Sequence, residues 1–153
     1  MSRIHRFDHV GITLADLDTA TAFFVELGFE VEGRTFLEGE FLDTVIGIPG
    51  SRTEMVMLRL PDEGTRLELT RFIRPDHEAG SPDAMATRIG LSNVSFEVGG
   101  LQTILEGLAA KGYSLIGGVG EYEEIWRMAS VRGPEGIIVN LAERMTDPSS
   151  DRG

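Results

Sequence analysis

The sequence has no cysteine in its 153 residues, which removes disulfides, thiolate metal sites and a cysteine nucleophile together. It also lacks long apolar runs. None approaches the roughly 20 residues that cross a bilayer, and Met1-Ser2-Arg3-Ile4-His5-Arg6 leads into Asp8 without the apolar core of a secretion signal. A soluble, cytoplasmic protein with no membrane partner is expected. Basic residues are scarce as well: 14 Lys and Arg face 25 Asp and Glu, a formal net charge of −11. Nucleic-acid binders depend on neutralising phosphates, so small molecules are the expected partners. What remains, 41% hydrophobic and 25% charged residues, suits one compact domain without low-complexity tracts.

That domain reads as two copies of one module. Asp8-His9-Val10-Gly11-Ile12-Thr13-Leu14 aligns with Ser92-Asn93-Val94-Ser95-Phe96-Glu97-Val98 at an offset of 93 − 9 = 84. The same offset places Leu17 on Leu101, Gly28 on Gly112, Phe29 on Tyr113 and Val31 on Leu115. Asp16 is a suitable N-cap, Leu17, Ala20, Thr21, Phe24 and Leu27 follow at helical spacing, and Gly28 suits the C′ position. Leu101, Ile104, Leu105, Leu108 and Gly112 take these roles in the second copy. Further on, Gly64-Thr65-Arg66-Leu67-Glu68-Leu69 matches Gly136-Ile137-Ile138-Val139-Asn140-Leu141 at 140 − 68 = 72. The first copy therefore carries 84 − 72 = 12 extra residues, within about 32–54.

Each module predicts a strand, a helix and three strands, with Met55 to Leu60 and Ile125 to Val131 as third strands. The fold class expected is α+β: tandem βαβββ modules forming a half-open, barrel-like cleft, because a sheet covered by a helix on one side leaves its other face open. The boundaries are a single domain over 1–145, with modules at about 7–75 and 90–144, and a flexible tail over 146–153. Strand alternation then assigns faces. Val10, Ile12 and Leu14 face the helix, so His9, Gly11 and Thr13 face the cleft, as do Asn93, Ser95 and Glu97. Leu67 and Leu69 pack inward and leave Arg66, Glu68 and Thr70 on the cleft side; Ile138, Asn140 and Ala142 are the equivalents. Four polar positions converge: His9, Glu68, Asn93 and Asn140.

These residues resemble the vicinal oxygen chelate superfamily of glyoxalase, bleomycin-resistance and ring-cleaving dioxygenase proteins. Asp8-His9-Val10-Gly11-Ile12 with Asp16-Leu17, Leu67-Glu68-Leu69, Ser95-Phe96-Glu97-Val98, and Gly133-Pro134-Glu135-Gly136 before Asn140-Leu141 carry the resemblance over nearly the whole chain. The general pattern is similar to epimerase-like and glyoxalase-like members, and it implies a homodimer. In metal-dependent members the four positions hold a divalent metal, commonly as His, Glu or Gln, His and Glu. His9 and Glu68 match the first two, whereas Asn93 and Asn140 replace the others. Neutral amides are poor transition-metal ligands, so no cofactor is expected. A divalent metal on His9 and Glu68 is the alternative, helped by a neighbour such as Glu97 or by a harder, oxygen-seeking ion.

Two functions follow from the resemblance. One is lyase- or isomerase-like chemistry on a small carbonyl or acyl compound, with Glu68 as the proton-transfer base, His9 as its partner, and Asn93 and Asn140 orienting a substrate oxygen. The other is a metal-free protein that sequesters a drug or other small molecule. Blander readings stand beside these: His9 as a strand-capping hydrogen bonder, Glu68 in a salt bridge to Arg66, Arg127 or Arg132, and the two asparagines satisfying each other. Glu97, Trp126 and Phe41 complete the candidate substrate contacts, Trp126 and Tyr122 by stacking. The insertion, with Phe36, Leu37, Phe41, Leu42, Val45, Ile46 and Ile48, is too apolar to lie in water. It is expected to close over the cleft, sit in a subunit interface or fill the core, with Gly39, Gly47 and Gly50 as flexible points. Gly117-Gly118-Val119-Gly120 is rejected as a phosphate loop, since Glu121, Glu123 and Glu124 would repel the ligand.

Overall fold

A computed structural model of the protein describes residues 2–62 and 64–145; the tail expected over 146–153 lies outside the described residues. The chain divides into two compact units, Met1–Gly80 and Ser81–Gly153. Each is an α+β module with a four-stranded sheet.

In the first unit, β1 (Val10–Thr13), α1 (Leu17–Glu26), β2 (Glu30–Glu38), α2 (Glu40–Ile46), β3 (Arg52–Arg59) and β4 (Arg66–Arg74) follow in order. The sheet runs β1-β4-β3-β2, with β1 parallel to β4 and the other pairs antiparallel. Asp16 starts α1 as expected, accepting from the backbone N–H of Thr19 at 3.0 Å and from its hydroxyl at 2.6 Å. This satisfies one of the orphan donors of the first turn. Gly28 follows the helix at φ +118°, a left-handed conformation open to glycine at no steric cost. Leu17, Ala20, Phe23 and Phe24 are buried on α1, which packs on β3 and β4, where Val56, Leu58, Leu67 and Leu69 are buried too. Phe24 is fully buried and meets Phe23 and Phe29 edge to face, with centroids 5.1 and 5.7 Å away.

Ion pairs extend this helix-side packing. Glu54, 7% exposed, accepts from Arg34 at 3.2 Å and from Arg71 at 3.4 Å, while Arg34 also reaches Asp18 of α1 at 2.8 Å. Two guanidiniums on one carboxylate leave no unpaired charge under the helix, and both, Arg34 first, hold Glu54 below its ordinary pKa.

The second unit repeats the plan. It contains β5 (Val94–Val98), α3 (Leu101–Ala110), β6 (Gly120–Tyr122), β7 (Trp126–Arg132), a 3-10 turn at Pro134–Gly136 and β8 (Ile138–Arg144), in sheet order β5-β8-β7-β6. Both ends of α3 sit 84 residues after those of α1 (101 − 17 and 110 − 26), and β8 starts 72 residues after β4 (138 − 66). The N–H groups of Gly100 and Leu101, at the start of α3, donate to the Glu143 carboxylate at 3.0 and 3.2 Å. Here the cap is borrowed from β8, because Gly100 has no side chain to offer.

The copies differ where the insertion lies. In the first unit it lengthens β2 and forms α2. In the second, the strand expected around Leu115 shrinks to a single bridge, Leu115 to Val131, and pairing resumes only at β6. Gly117, Gly118 and Gly120 in that stretch provide no side chains to pack on a sheet.

Candidate functional site

One face of the first sheet is covered by α1 and the other is open. On the open face, paired residues line up across all four strands: Gly11, Glu68, Met57 and Gly33 in one row, then Thr13, Thr70, Met55 and Thr35. Phe72, Thr53 and Leu37 form a third row. Glu68 thus lies mid-strand on the open side, as alternation requires.

A pocket of about 240 Å³ occupies this face. Its floor includes Gly11, Thr13, Thr53, Met55, Glu68, Thr70 and Phe72, and Leu37, Leu42 and Ile46 also line it. The last two come from α2, so part of the insertion covers something, as its apolar content demands. The outward side of α2 carries Phe41, 80% exposed, and Val45, 67% exposed. Phe41 is therefore absent from the lining, while its neighbour Leu42 is present. The helix is held by one side chain. Asp43 accepts from the N–H groups of Gly50 and Ser51 at 2.8 and 2.9 Å and from the Ser51 hydroxyl at 2.7 Å. These bonds, that from the Ser51 hydroxyl first, lower the Asp43 pKa.

The titratable side chains lie where β1 pairs with β4. His9 Nε2 is 3.1 Å from Glu68 Oε2, and His9 Nδ1 donates to Asp8 Oδ2 at 2.6 Å. The imidazole bridges two carboxylates. Its side chain is 31% exposed and that of Glu68 27%, so the pair is sheltered yet reachable. Thr70 donates to the other Glu68 oxygen at 3.2 Å. Asp8 also has Arg66 at 3.7 Å and Arg6 at 3.4 Å. Its carboxyl is held below the ordinary value of 3.8, by the bond from His9 above all, with the charges of Arg66 and Arg6 helping and desolvation opposing. Because an ionised carboxylate only accepts, Nδ1 carries the ring proton and Nε2 faces Glu68 with the exchangeable position. Arg66, a candidate salt-bridge partner for Glu68, instead grips Glu32 through Nε at 2.9 Å.

The sequence reading did not single out Asp8, which the structure places against His9. Extending the alternation of β1 back to Asp8 places it on the side opposite His9, but both residues precede β1 (Val10–Thr13), where the pleat no longer dictates direction. Adjacency to a histidine was the available signal.

In the second unit, Asn93 immediately precedes β5 and is exposed, as are Ser95 and Glu97, while Val94, Phe96 and Val98 are half-buried. Asn140 is paired with Ser95 on one side and Ser130 on the other, and its Oδ1 accepts the Ser130 hydroxyl at 2.6 Å. Ser130, not Asn93, satisfies it. Trp126 lies on the same face as Ser130 and Asn140, with the Arg144 guanidinium 5.6 Å from its ring centroid. Arg127 pairs with Glu121 at 3.2 Å. Arg132 is spent on the carbonyls of Pro82, Ala84 and Gly136, at 3.0, 2.9 and 3.3 Å.

A profile of the glyoxalase/bleomycin resistance protein/dioxygenase superfamily matches residues 8–129. The chain belongs to this superfamily. A glyoxalase family protein from Bacillus cereus is 35% identical over 95% of this chain and 97% of its own, with a TM-score of 0.91. A domain of the same superfamily from Frankia sp. EAN1pec is 22% identical over 93% of this chain and 99% of its own, at 0.63. A glyoxalase I mutant from Zea mays is 17% identical over 94% of this chain and 47% of its own, at 0.64. These last two likenesses concern the fold. Among curated proteins, none matches significantly.

Members of the glyoxalase/bleomycin resistance/dioxygenase superfamily often bind divalent metals. His9 and Glu68, both in the first unit, are good ligands, with Nε2 and Oε2 3.1 Å apart. Asn93 and Asn140 are amides, and the Asn140 oxygen is engaged by Ser130. Among the described residues no cluster of three or more His, Cys, Asp or Glu side chains has the geometry to hold an ion. Two strong donors fall short of the three that catalytic transition-metal sites normally use, so the residues present do not fit such a metal.

Proposed function

We propose that the protein is an acid-base enzyme of the lyase or isomerase type, moving a proton beside the carbonyl of a small carbonyl or acyl compound without a metal. The observation that carries this reading is the Asp8–His9–Glu68 chain, with Glu68 forming part of the pocket wall. Glu68 takes the substrate proton, and His9 Nε2, its tautomer fixed by Asp8, exchanges protons with the carboxylate. A positioned acid-base group contributes about 10²–10⁴-fold to such a step. Threonine hydroxyls on the pocket wall are suited to donate to the oxygen as charge develops there. Asn93, Asn140, Glu97 and Trp126 stay candidates for substrate contact, while Phe41, on the outward side of α2, fits an interface better. The exposed Phe36, Phe41 and Val45 support a homodimer, and we carry cytoplasmic location as part of the same reading.

The test is solvent exchange. In D₂O the protein should wash deuterium into the position beside the carbonyl of small ketones and thioesters, and Glu68→Gln should reduce this at least 100-fold with the fold unchanged. A protein that binds such compounds, shows no exchange and keeps its affinity in Glu68→Gln is instead a sequestering protein, the second reading the superfamily offers. Elemental analysis after dialysis against Fe, Zn, Ni, Co and Mn should find no stoichiometric ion. Retention of one equivalent, lost in His9→Ala, would overturn the metal-free proposal.

A further inference from the structure

The pocket wall specifies a ligand class more closely than the acid-base chemistry does, and the inference rests on that proposed reading of Glu68. Among the pocket-lining residues Glu68 is the single charged side chain, with no Lys or Arg beside it in the lining, and His9 stands behind it at 3.1 Å. The pocket's size, about 240 Å³, is below the roughly 300–1,000 Å³ of sites for drug-sized ligands. The rest of the lining includes aliphatic and aromatic side chains, Leu37, Leu42 and Ile46 together with Phe72, which shares β4 with Glu68. A carboxylate, phosphonate or phosphate entering here would meet a like charge and no lysine or arginine, at a cost in desolvation. A neutral body with one carbonyl meets hydrocarbon from Leu37, Leu42, Ile46, Met55 and Phe72 and hydroxyls from Thr13, Thr53 and Thr70. We infer that the substrate group held in this pocket is compact, uncharged and mostly apolar, and that Leu42 and Ile46 of α2 set its size limit.

The wall is built to keep that limit. Asp43 fastens α2 to the start of β3 through three hydrogen bonds, and Ser51, the hydroxyl partner, is only 1% exposed. Gly39, Gly47 and Gly50 adopt positive φ values of 115°, 73° and 71°, so each serves a fixed turn around the helix. A fastened wall selects by shape, without reordering on binding.

The experiment uses three probes of one skeleton: cyclohexanone, cyclohexanecarboxylate and the larger cyclooctanone. Binding to the full-length protein is followed by NMR on the methyl groups of Ile46 and Met55. Cyclohexanone should shift both resonances saturably, and the carboxylate should bind at least tenfold more weakly. Ile46→Trp should weaken cyclohexanone at least tenfold, with circular dichroism reporting the fold, and Leu42→Ala should shift preference toward cyclooctanone. Equal or tighter binding of the carboxylate, or an unchanged ring-size preference in Leu42→Ala, would overturn the inference. Deuterium exchange on the same cyclohexanone separates the two proposals. Selective, wall-dependent binding without exchange removes the acid-base reading and keeps the ligand class; exchange indifferent to both α2 variants does the reverse.

Discussion

The imidazole of His9 has two carboxylates and only one proton to place in its neutral form, which makes Asp8 the residue that decides the tautomer. Asp8→Asn presents an amide N–H₂ where an acceptor stood, and the ring then has reason to move its proton to Nε2, against Glu68. ¹⁵N chemical shifts of the ring should report that change, and deuterium exchange should fall about tenfold or more. A tautomer unchanged in Asp8→Asn would show that something other than Asp8 orients the ring. Glu68 was legible on the open face because alternation fixes positions inside the regular strand β4, and His9, one residue before β1, because the duplication aligns it with Asn93. Asp8 was not, since alternation does not reach its side chain just outside β1. Nor was the split between Phe41 and Leu42, because which side of a seven-residue helix faces the sheet depends on the anchor at Asp43, a contact eight residues long in sequence to Ser51.

At the scale of elements, helices and turns give separable predictions. Phe24 is fully buried against Phe23 and Phe29, so Phe24→Ala should cost about 3–5 kcal/mol in chemical denaturation. Gly136 is a different case. It sits at φ +87°, and a Cβ there would lie 2.4 Å from the Pro82 carbonyl oxygen. Gly136→Ala must therefore push the 3-10 turn and the Pro82 segment apart, and it should loosen the carbonyls that Arg132 gathers, read as faster amide exchange around residues 82–88. Asp43→Ala should speed amide exchange over α2 while leaving α1 protected. Exchange that stayed slow would mean the helix is held by its apolar contacts alone. The elements themselves were readable: both long helices begin at the aligned leucines Leu17 and Leu101. The broken second strand of the second unit was not, since an offset carries over a position but cannot say whether glycines there will pair.

Stabilised carboxylates are distributed unevenly over the two units. Among the described residues, Asp8, Asp16, Glu32, Glu38, Asp43, Glu54 and Asp62 are held below their ordinary values of 3.8 or 4.5, chiefly by hydrogen bonds. All seven belong to the first unit. A carboxyl whose pKa is lowered by folding stabilises the fold fully above its unfolded value, and that contribution is lost as the pH falls through the lowered one. Acid should therefore loosen the first unit before the second. Residue-resolved amide signals between pH 5 and 2.5 should fade first in β2, β3 and α2; simultaneous loss in both units would contradict this. The strand order has a consequence for the chain as it leaves the ribosome. Each sheet joins its earliest strand to its latest, Val10 to Leu67 and Val94 to Val139, separations of 57 and 45 residues. Such distant partners are slow to meet. During synthesis β1 must wait, unpaired, until β4 emerges, and only then can His9 come within reach of Glu68.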